Sequence, residues 1–237
     1  MDFVGTGKRL DDIDLPRLGS DILVGEDEVH AVLDVECRGR GFDSNNRPAM
    51  LFETHKFYKF CPKKYRGEAV RLGLATRKWT RNYQKDSYPR LQKAAAYDLE
   101  AACLSASWGL GQIMGFNHKL AGYRSAVEMV EAFKTGEAEQ LRGMINFIKS
   151  TGLDKALRAH DWRAFAKGYN GPGYAKHGYH TRLEAAYIKW SAIPDTDWKR
   201  TMAVATAHTK PIPATSKPGL VDAILEIIRS IFGGRNG

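Results

Sequence analysis

Cysteine is scarce in this chain. Three cysteines in 237 residues, Cys37, Cys61 and Cys103, stand far apart with no CxxC pair. That spacing excludes a cysteine-based zinc framework and a disulfide scaffold, and it suits a reducing compartment, though a single disulfide stays compatible with it. No run approaches the roughly 18 apolar residues of a membrane-spanning helix. The opening Met-Asp-Phe-Val-Gly-Thr-Gly-Lys-Arg-Leu has no basic stretch followed by an apolar one. No export signal is read there, and synthesis in the cytoplasm is expected. The Gly109-Leu110-Gly111 spacing lacks the third glycine and the Lys-Ser/Thr of a phosphate loop. Acidic residues are in deficit: 27 Asp and Glu face 36 Lys and Arg, a formal charge of +9. Such a surface favours polyanions, whether nucleic acid, teichoic acid or lipopolysaccharide, and charge alone does not choose among them.

What is present is mostly helical texture. Residues 1 to about 25 are polar, with Pro16, Gly19 and Gly25 as breakers, and a short amphipathic helix follows. Residues 39–48 are dense in turn formers, and Met50-Leu51-Phe52 is an apolar run that reads as a strand or a helix start. The stretch from Lys63 to Tyr88 is basic and aromatic. From there on, apolar spacing predicts helices over 89–106, 126–133, 140–150, 153–158, 162–169 and 181–190. The body is therefore mainly α, with at most a small β element. A Pro/Thr/Lys linker is expected over 201–218, after a domain spanning 1–200. Beyond it, Leu220, Val221, Ile224, Leu225, Ile227, Ile228, Ile231 and Phe232 form one apolar face of an amphipathic tail, 219–237.

Within the first helix, Val29, Val32 and Leu33 stand at i, i+3 and i+4, and the next place on that stripe, i+7, is Glu36. A short helix normally spends its inward face on apolar groups, so a carboxylate there must be paired, hydrated in a cleft, or kept protonated by desolvation. The last two conditions suit a general acid for glycoside cleavage. The other reading is a helix-end glutamate tied to Arg38 or Arg40.

Two further stretches carry chemistry-bearing residues. In Ser105-Ala106-Ser107-Trp108-Gly109-Leu110-Gly111-Gln112-Ile113-Met114-Gly115-Phe116-Asn117, small residues permit close backbone approach. Gln112 is an amide with donor and acceptor capacity for a sugar hydroxyl or acetamido group. In Tyr169-Asn170-Gly171-Pro172-Gly173-Tyr174, two tyrosines offer stacking faces and Asn170 a positioning amide, although Asn-Gly-Pro-Gly is turn chemistry in any protein. His177 and His180 have helical spacing for two metal ligands, but the glycine between them and the lack of a third ligand argue against a metal site. Cys103, on an apolar helix face, reads as core rather than as a nucleophile.

Taken together these stretches resemble one family. The order of a helix-ending glutamate, a Gly-Leu-Gly-Gln-Ile-Met-Gly segment and Tyr-Asn-Gly-Pro is similar to that of lysozyme-like muramidases and lytic transglycosylases. It resembles above all the phage endolysins and bacterial N-acetylmuramidases, which carry Val-Glu-Ser-x-Gly-x-Gly-Phe and then Arg-Pro-x-Ile-Leu-Phe-Glu-Arg-His-x-Phe. Here the matching residues are Val35-Glu36-Cys37-Arg38-Gly39-Arg40-Gly41-Phe42 and Arg47-Pro48-Ala49-Met50-Leu51-Phe52-Glu53-Thr54-His55-Lys56-Phe57. The likeness extends over about 25 to 195; Cys37 departs where the family often has Ser, and Thr54 where Arg is common.

The resemblance implies an α+β lysozyme-like fold and cofactor-free hydrolysis of the β-1,4 bond between N-acetylmuramic acid and N-acetylglucosamine. Glu36 would be the general acid. Glu53 would be either the second carboxylate or a buried partner of His55 or Arg47, with Asp43 a weaker candidate. Ser107, Gln112, Tyr169, Asn170 and Tyr174 would bind substrate. Peptidoglycan is the implied partner of a monomer released through holin-made lesions, with anionic membrane or lipopolysaccharide contacts through the basic surface and tail, and no nucleic acid. The rivals are a lytic transglycosylase and a non-catalytic peptidoglycan- or nucleic-acid-binding protein.

Overall fold

A computed structural model describes residues 1–36 and 40–196. Cys37, the expected linker 201–218 and the amphipathic tail 219–237 lie outside the described residues. The chain divides into two compact units: residues 1–9 with 36–144, and residues 10–35 with the part of the chain from 145 onward. As the apolar spacing predicts, the architecture of the described residues is mainly helical with one small sheet.

The second unit holds α1 (Asp14–Gly19) and most of α2 (Glu26–Glu36). Val29, Ala31 and Val32 give α2 its buried stripe, alongside Leu15, Leu18 and Ile22 from the segment before it. This unit also takes a later group of helices.

The first unit is built around an antiparallel sheet, β1 (Met50–Phe52), β2 (Ala106–Trp108) and β3 (Ile113–Met114), in that order. Met50 pairs with Trp108, Leu51 with Ser107 and Phe52 with Ala106; Ser107 pairs in turn with Met114. Around it pack α3 (Thr54–Phe60), α4 (Arg66–Arg71), α5 (Tyr88–Ala95), α6 (Leu99–Leu104) and α7 (Ala126–Phe133). Fully buried Phe52, Phe57, Leu91, Trp108, Met129 and Phe133 form the core.

The helix expected over 89–106 is two helices and a strand. The first ends at Ala95; the Asp98 side chain then accepts the backbone N–H of Ala101 at 2.7 Å, and this N-cap starts the next. Past Ser105 the chain pairs with β1 instead of continuing as helix. The α7 terminus is secured twice. Ser125 caps the Glu128 N–H at 3.0 Å, and the Glu100 carboxylate accepts from the Ala126 and Val127 N–H groups at 2.8 and 3.0 Å. Negative charge at that end also suits the helix dipole. The close approach that the glycines anticipate is real at Gly115, where a Cβ would overlap the Cys103 carbonyl.

The boundary between the units falls within α8 (Glu137–Ser150). The second unit continues with α9 (Asp154–Arg158), α10 (Trp162–Asn170) and α11 (Tyr179–Trp190). Arg158 reaches the Ile22 carbonyl at 2.8 Å, His160 meets Glu28 at 2.6 Å, and the Trp190 indole N–H donates to Asp34 at 2.8 Å while its ring stacks on His30. These contacts lash the late helices to α2 and to the segment before it.

Candidate active site

Glu36 is the last residue of α2 and is half-buried. The helix follows the expected stripe, with Val29 and Val32 buried and Leu33 partly so. Glu36 therefore stands neither in the core nor in bulk water. No basic residue occupies the last turn of α2. One carbonyl of that turn, Val35, is satisfied by the Arg182 guanidinium of α11 at 3.0 Å.

Ser107 and Gln112 are brought together. The Ser107 hydroxyl donates to Gln112 Oε1 at 2.8 Å. The Gln112 amide nitrogen donates to the Gly109 carbonyl at 2.9 Å and reaches the Ala49 carbonyl at 3.3 Å. With both N–H groups so directed, the side chain offers a ligand one remaining acceptor lone pair on Oε1. The sequence reading granted it a donor as well, and this geometry removes that. Gln112 is exposed and has φ 47°, a left-handed backbone that a non-glycine residue rarely adopts. Such strain tends to be kept where a site requires it.

Glu53 sits between β1 and α3 and is 3% exposed. Its Oε1 accepts from the Tyr83 hydroxyl at 2.9 Å, and its Oε2 lies 3.3 Å from His55 Nδ1. Of the two partners foreseen for it, the contact is with His55; the Arg47 guanidinium is engaged by Asp43 and Asp86. Partial burial, then the charge of Glu53, push the Tyr83 hydroxyl up to about 12, so it remains a donor throughout the physiological range. Replacing Glu53 with Ala should strand both partners, costing about 2–4 kcal/mol in urea denaturation, while Glu53→Gln, which still accepts from Tyr83, should cost less than about 1.5 kcal/mol. Equal losses for the two variants would contradict that division of roles.

Asp43 accepts from Arg47 Nε at 2.7 Å and from the backbone N–H groups of Asn45 and Arg47. Burial works against its charge, but the bonds from the Arg47 side chain and the two backbone groups outweigh it and hold the carboxyl below its usual range. This is a turn-building aspartate. Arg47 also lies over the Tyr88 ring at 4.0 Å.

Sequence reasoning missed Gln140 and Glu137. Gln140 is fully buried; its Oε1 accepts from the Leu110 N–H at 2.9 Å and its amide donates to the Phe133 carbonyl at 3.1 Å. Glu137 accepts from the Gly41 N–H at 2.7 Å and from Arg9 at 2.9 Å. The two fix the loop that presents Gln112 and the chain shortly after Glu36. The signal was available: 137, 140, 141 and 144 share a helical stripe whose last two members are Leu and Met, the same anomaly of a polar group on an apolar face that singled out Glu36.

The remaining expected residues belong to the second unit. Tyr169 is half-buried, stacked on Phe165 with ring centroids 5.6 Å apart and edge-on to Phe147 at 5.9 Å. Asn170 is buried and ends α10, where Gly171 takes φ 78° to break the helix. Tyr174 meets His180 edge-on at 5.4 Å, and His177 meets Tyr179 at 6.2 Å. Among the described residues no group of three His, Cys, Asp or Glu is placed to hold a metal ion. Cys103 is buried, which pushes its thiol up to about 12, and it is core as expected.

Comparison with known proteins bears on the whole arrangement. The crystal structure of the Burkholderia AP3 phage endolysin superposes with a TM-score of 0.73 at 34% sequence identity, covering 79% of this chain and 74% of that one. No curated protein matches. The family model described as Muramidase, N-acetylmuramidase, matches residues 26–191, which include every candidate side chain above. The chain therefore belongs to the N-acetylmuramidase family of peptidoglycan hydrolases.

Proposed function

We propose that this protein is an endolysin that hydrolyses the β-1,4 bond between N-acetylmuramic acid and N-acetylglucosamine, with Glu36 as the general acid. The observation that carries the reading is the half-buried carboxyl at the end of α2, within a chain that belongs to a muramidase family. Glu36 gives its proton to the glycosidic oxygen as the bond from the muramyl C1 breaks, and a water adds to C1, releasing its proton to solvent.

Glu53 is the second carboxylate of the site. Its oxygens are occupied by Tyr83 and His55, which suits a fixed negative charge facing the oxocarbenium-like transition state better than a free nucleophile. Gln112 Oε1, oriented by Ser107, accepts from the attacking water or from an acetamido N–H. In the second unit, Tyr169 and Tyr174 have aromatic faces of the kind that stack on sugars, and Asn170 ends α10 at the turn between them. Synthesis in the host cytoplasm, action on the wall as a monomer, and contact of the basic surface and tail with anionic membrane or lipopolysaccharide complete the reading.

Digesting purified sacculi and analysing the products by mass spectrometry tests the bond directly. Soluble fragments ending in reducing N-acetylmuramic acid are expected. Fragments ending in 1,6-anhydro-muramic acid would make the enzyme a transglycosylase, and reducing N-acetylglucosamine would move the cut to the other linkage.

A further inference from the structure

Between α4 and α5, residues 75–87 form neither helix nor strand, yet the segment is stapled. The Thr76 N–H donates to the Thr54 carbonyl at 3.2 Å, and the two threonine hydroxyls meet at 2.9 Å. The Asn82 amide donates to the Thr54 hydroxyl at 3.3 Å, and Arg90 holds the Asn82 carbonyl at 2.9 Å. Tyr83 closes the set on Glu53. From this strap Arg77, Lys78, Arg81 and Lys85 all extend exposed. Residues 77–85 contain no acid, and among the described residues none of the four cations makes an ion pair. Elsewhere on the same unit exposed cations are either paired, as Arg71 is with Glu68 and Arg124 with Glu128, or fewer together, as Lys93 and Lys119 are singly; among the described residues only the strap gathers four exposed cations within nine residues. Arg81 is near enough to Tyr83 for its charge to act on that hydroxyl.

Four unpaired cations on a stapled strap repel one another, and an anion from outside relieves that repulsion. The strap is bonded to Glu53 itself, so the anion it meets belongs to the polymer being cut, close to the cut, and not to a distant surface. Peptidoglycan carries free carboxylates there, along the stem peptide that hangs from the muramyl lactyl group. We infer that the strap 77–85 is a specificity element that recognises the carboxylates of peptidoglycan stems beside the scissile bond. The inference rests on the reading of Glu53 as part of the substrate site.

The test compares hydrolysis of native sacculi with sacculi whose carboxylates have been converted to amides, and of both with sacculi stripped of phosphate polymers. Wild type should show an apparent KM about tenfold lower on native than on amidated sacculi, the sum of several modest exposed charge contacts, and stripping phosphate should leave it unchanged. The variant Arg77→Gln/Lys78→Gln/Arg81→Gln/Lys85→Gln should lose that preference with kcat on native sacculi retained. A control of equal charge, Lys63→Gln/Lys93→Gln/Lys119→Gln/Lys155→Gln, should keep it. Equal KM values for wild type on native and amidated sacculi, a preference that follows phosphate, or loss of preference in the control as well as the strap variant would each overturn the inference. The wild-type comparison stands even where the strap variant does not fold. Absence of hydrolysis on every substrate would instead count against the proposed function.

Discussion

Glu36→Gln is expected to lower the release of soluble muropeptides by about a thousandfold, the range set by losing a general acid. The amide has the shape of the acid but no proton to give. Because Glu36 is half-buried at a helix end, the variant should melt within about 2 °C of wild type, as surface-like substitutions do. Glu36→Asp separates position from chemistry: it keeps the proton and withdraws it by about one methylene, and misplacement on that scale costs about a hundredfold. If Glu36 is the proton donor, wild-type activity should carry a basic limb, about tenfold per pH unit once the acid has lost its proton, and that limb should vanish from the residual activity of the amide variant. A Glu36→Gln protein that digests sacculi at more than a tenth of the wild-type rate would remove Glu36 from the mechanism.

The sequence made some of this legible and hid the rest for definable reasons. Helix α7 is delimited as expected, because its apolar stripe and its Ser125 cap are both local signals. The stripe that isolates Glu36 is local too. The sheet is not: β1 meets β2 across more than fifty positions, and three-residue strands carry no periodicity of their own. For that reason 89–106 reads as one helix, although Asp98 and the Ser105–Ser107 run mark its interruptions. The Glu53 cluster was half visible. His55 is a near neighbour in sequence, whereas Tyr83 is thirty residues away inside a stretch whose charge concealed its anchoring. Gln140 escaped because polar residues on amphipathic helices usually face water, and only its place on the inward stripe betrays it. The glycines around Gln112 were read correctly as sites of close approach, but their purpose is partly internal: Gln140 and the Cys103 carbonyl occupy the room they leave.

Trp108 joins the sheet to the site, and Trp108→Ala should be the most damaging core substitution in the first unit. The side chain is fully buried. It stacks on Phe3 with centroids 5.9 Å apart, meets Tyr88 edge-on at 6.4 Å, and donates its indole N–H to the Cys103 carbonyl at 3.0 Å. Removing so large a group costs about 3–5 kcal/mol, and the Cys103 carbonyl loses its indole donor besides. Domains of this size hold about 5–15 kcal/mol in total, so the variant should be marginal at 37 °C. Trp108→Phe fills most of the volume and loses only the N–H, and should cost about 1–2 kcal/mol. The loss reaches the site through register. Trp108 pairs with Met50 and Ile113, and its neighbour Ser107 orients Gln112. A loosened β2 therefore releases the Gln112 acceptor, and activity should fall at temperatures below the melting transition, not merely at it. Urea denaturation and muropeptide release at 15 °C check the two parts separately. A Trp108→Ala protein less than about 1 kcal/mol below wild type would show that the sheet does not depend on this ring. Full activity at 15 °C in a destabilised variant would show that Ser107 and Gln112 keep their geometry without it.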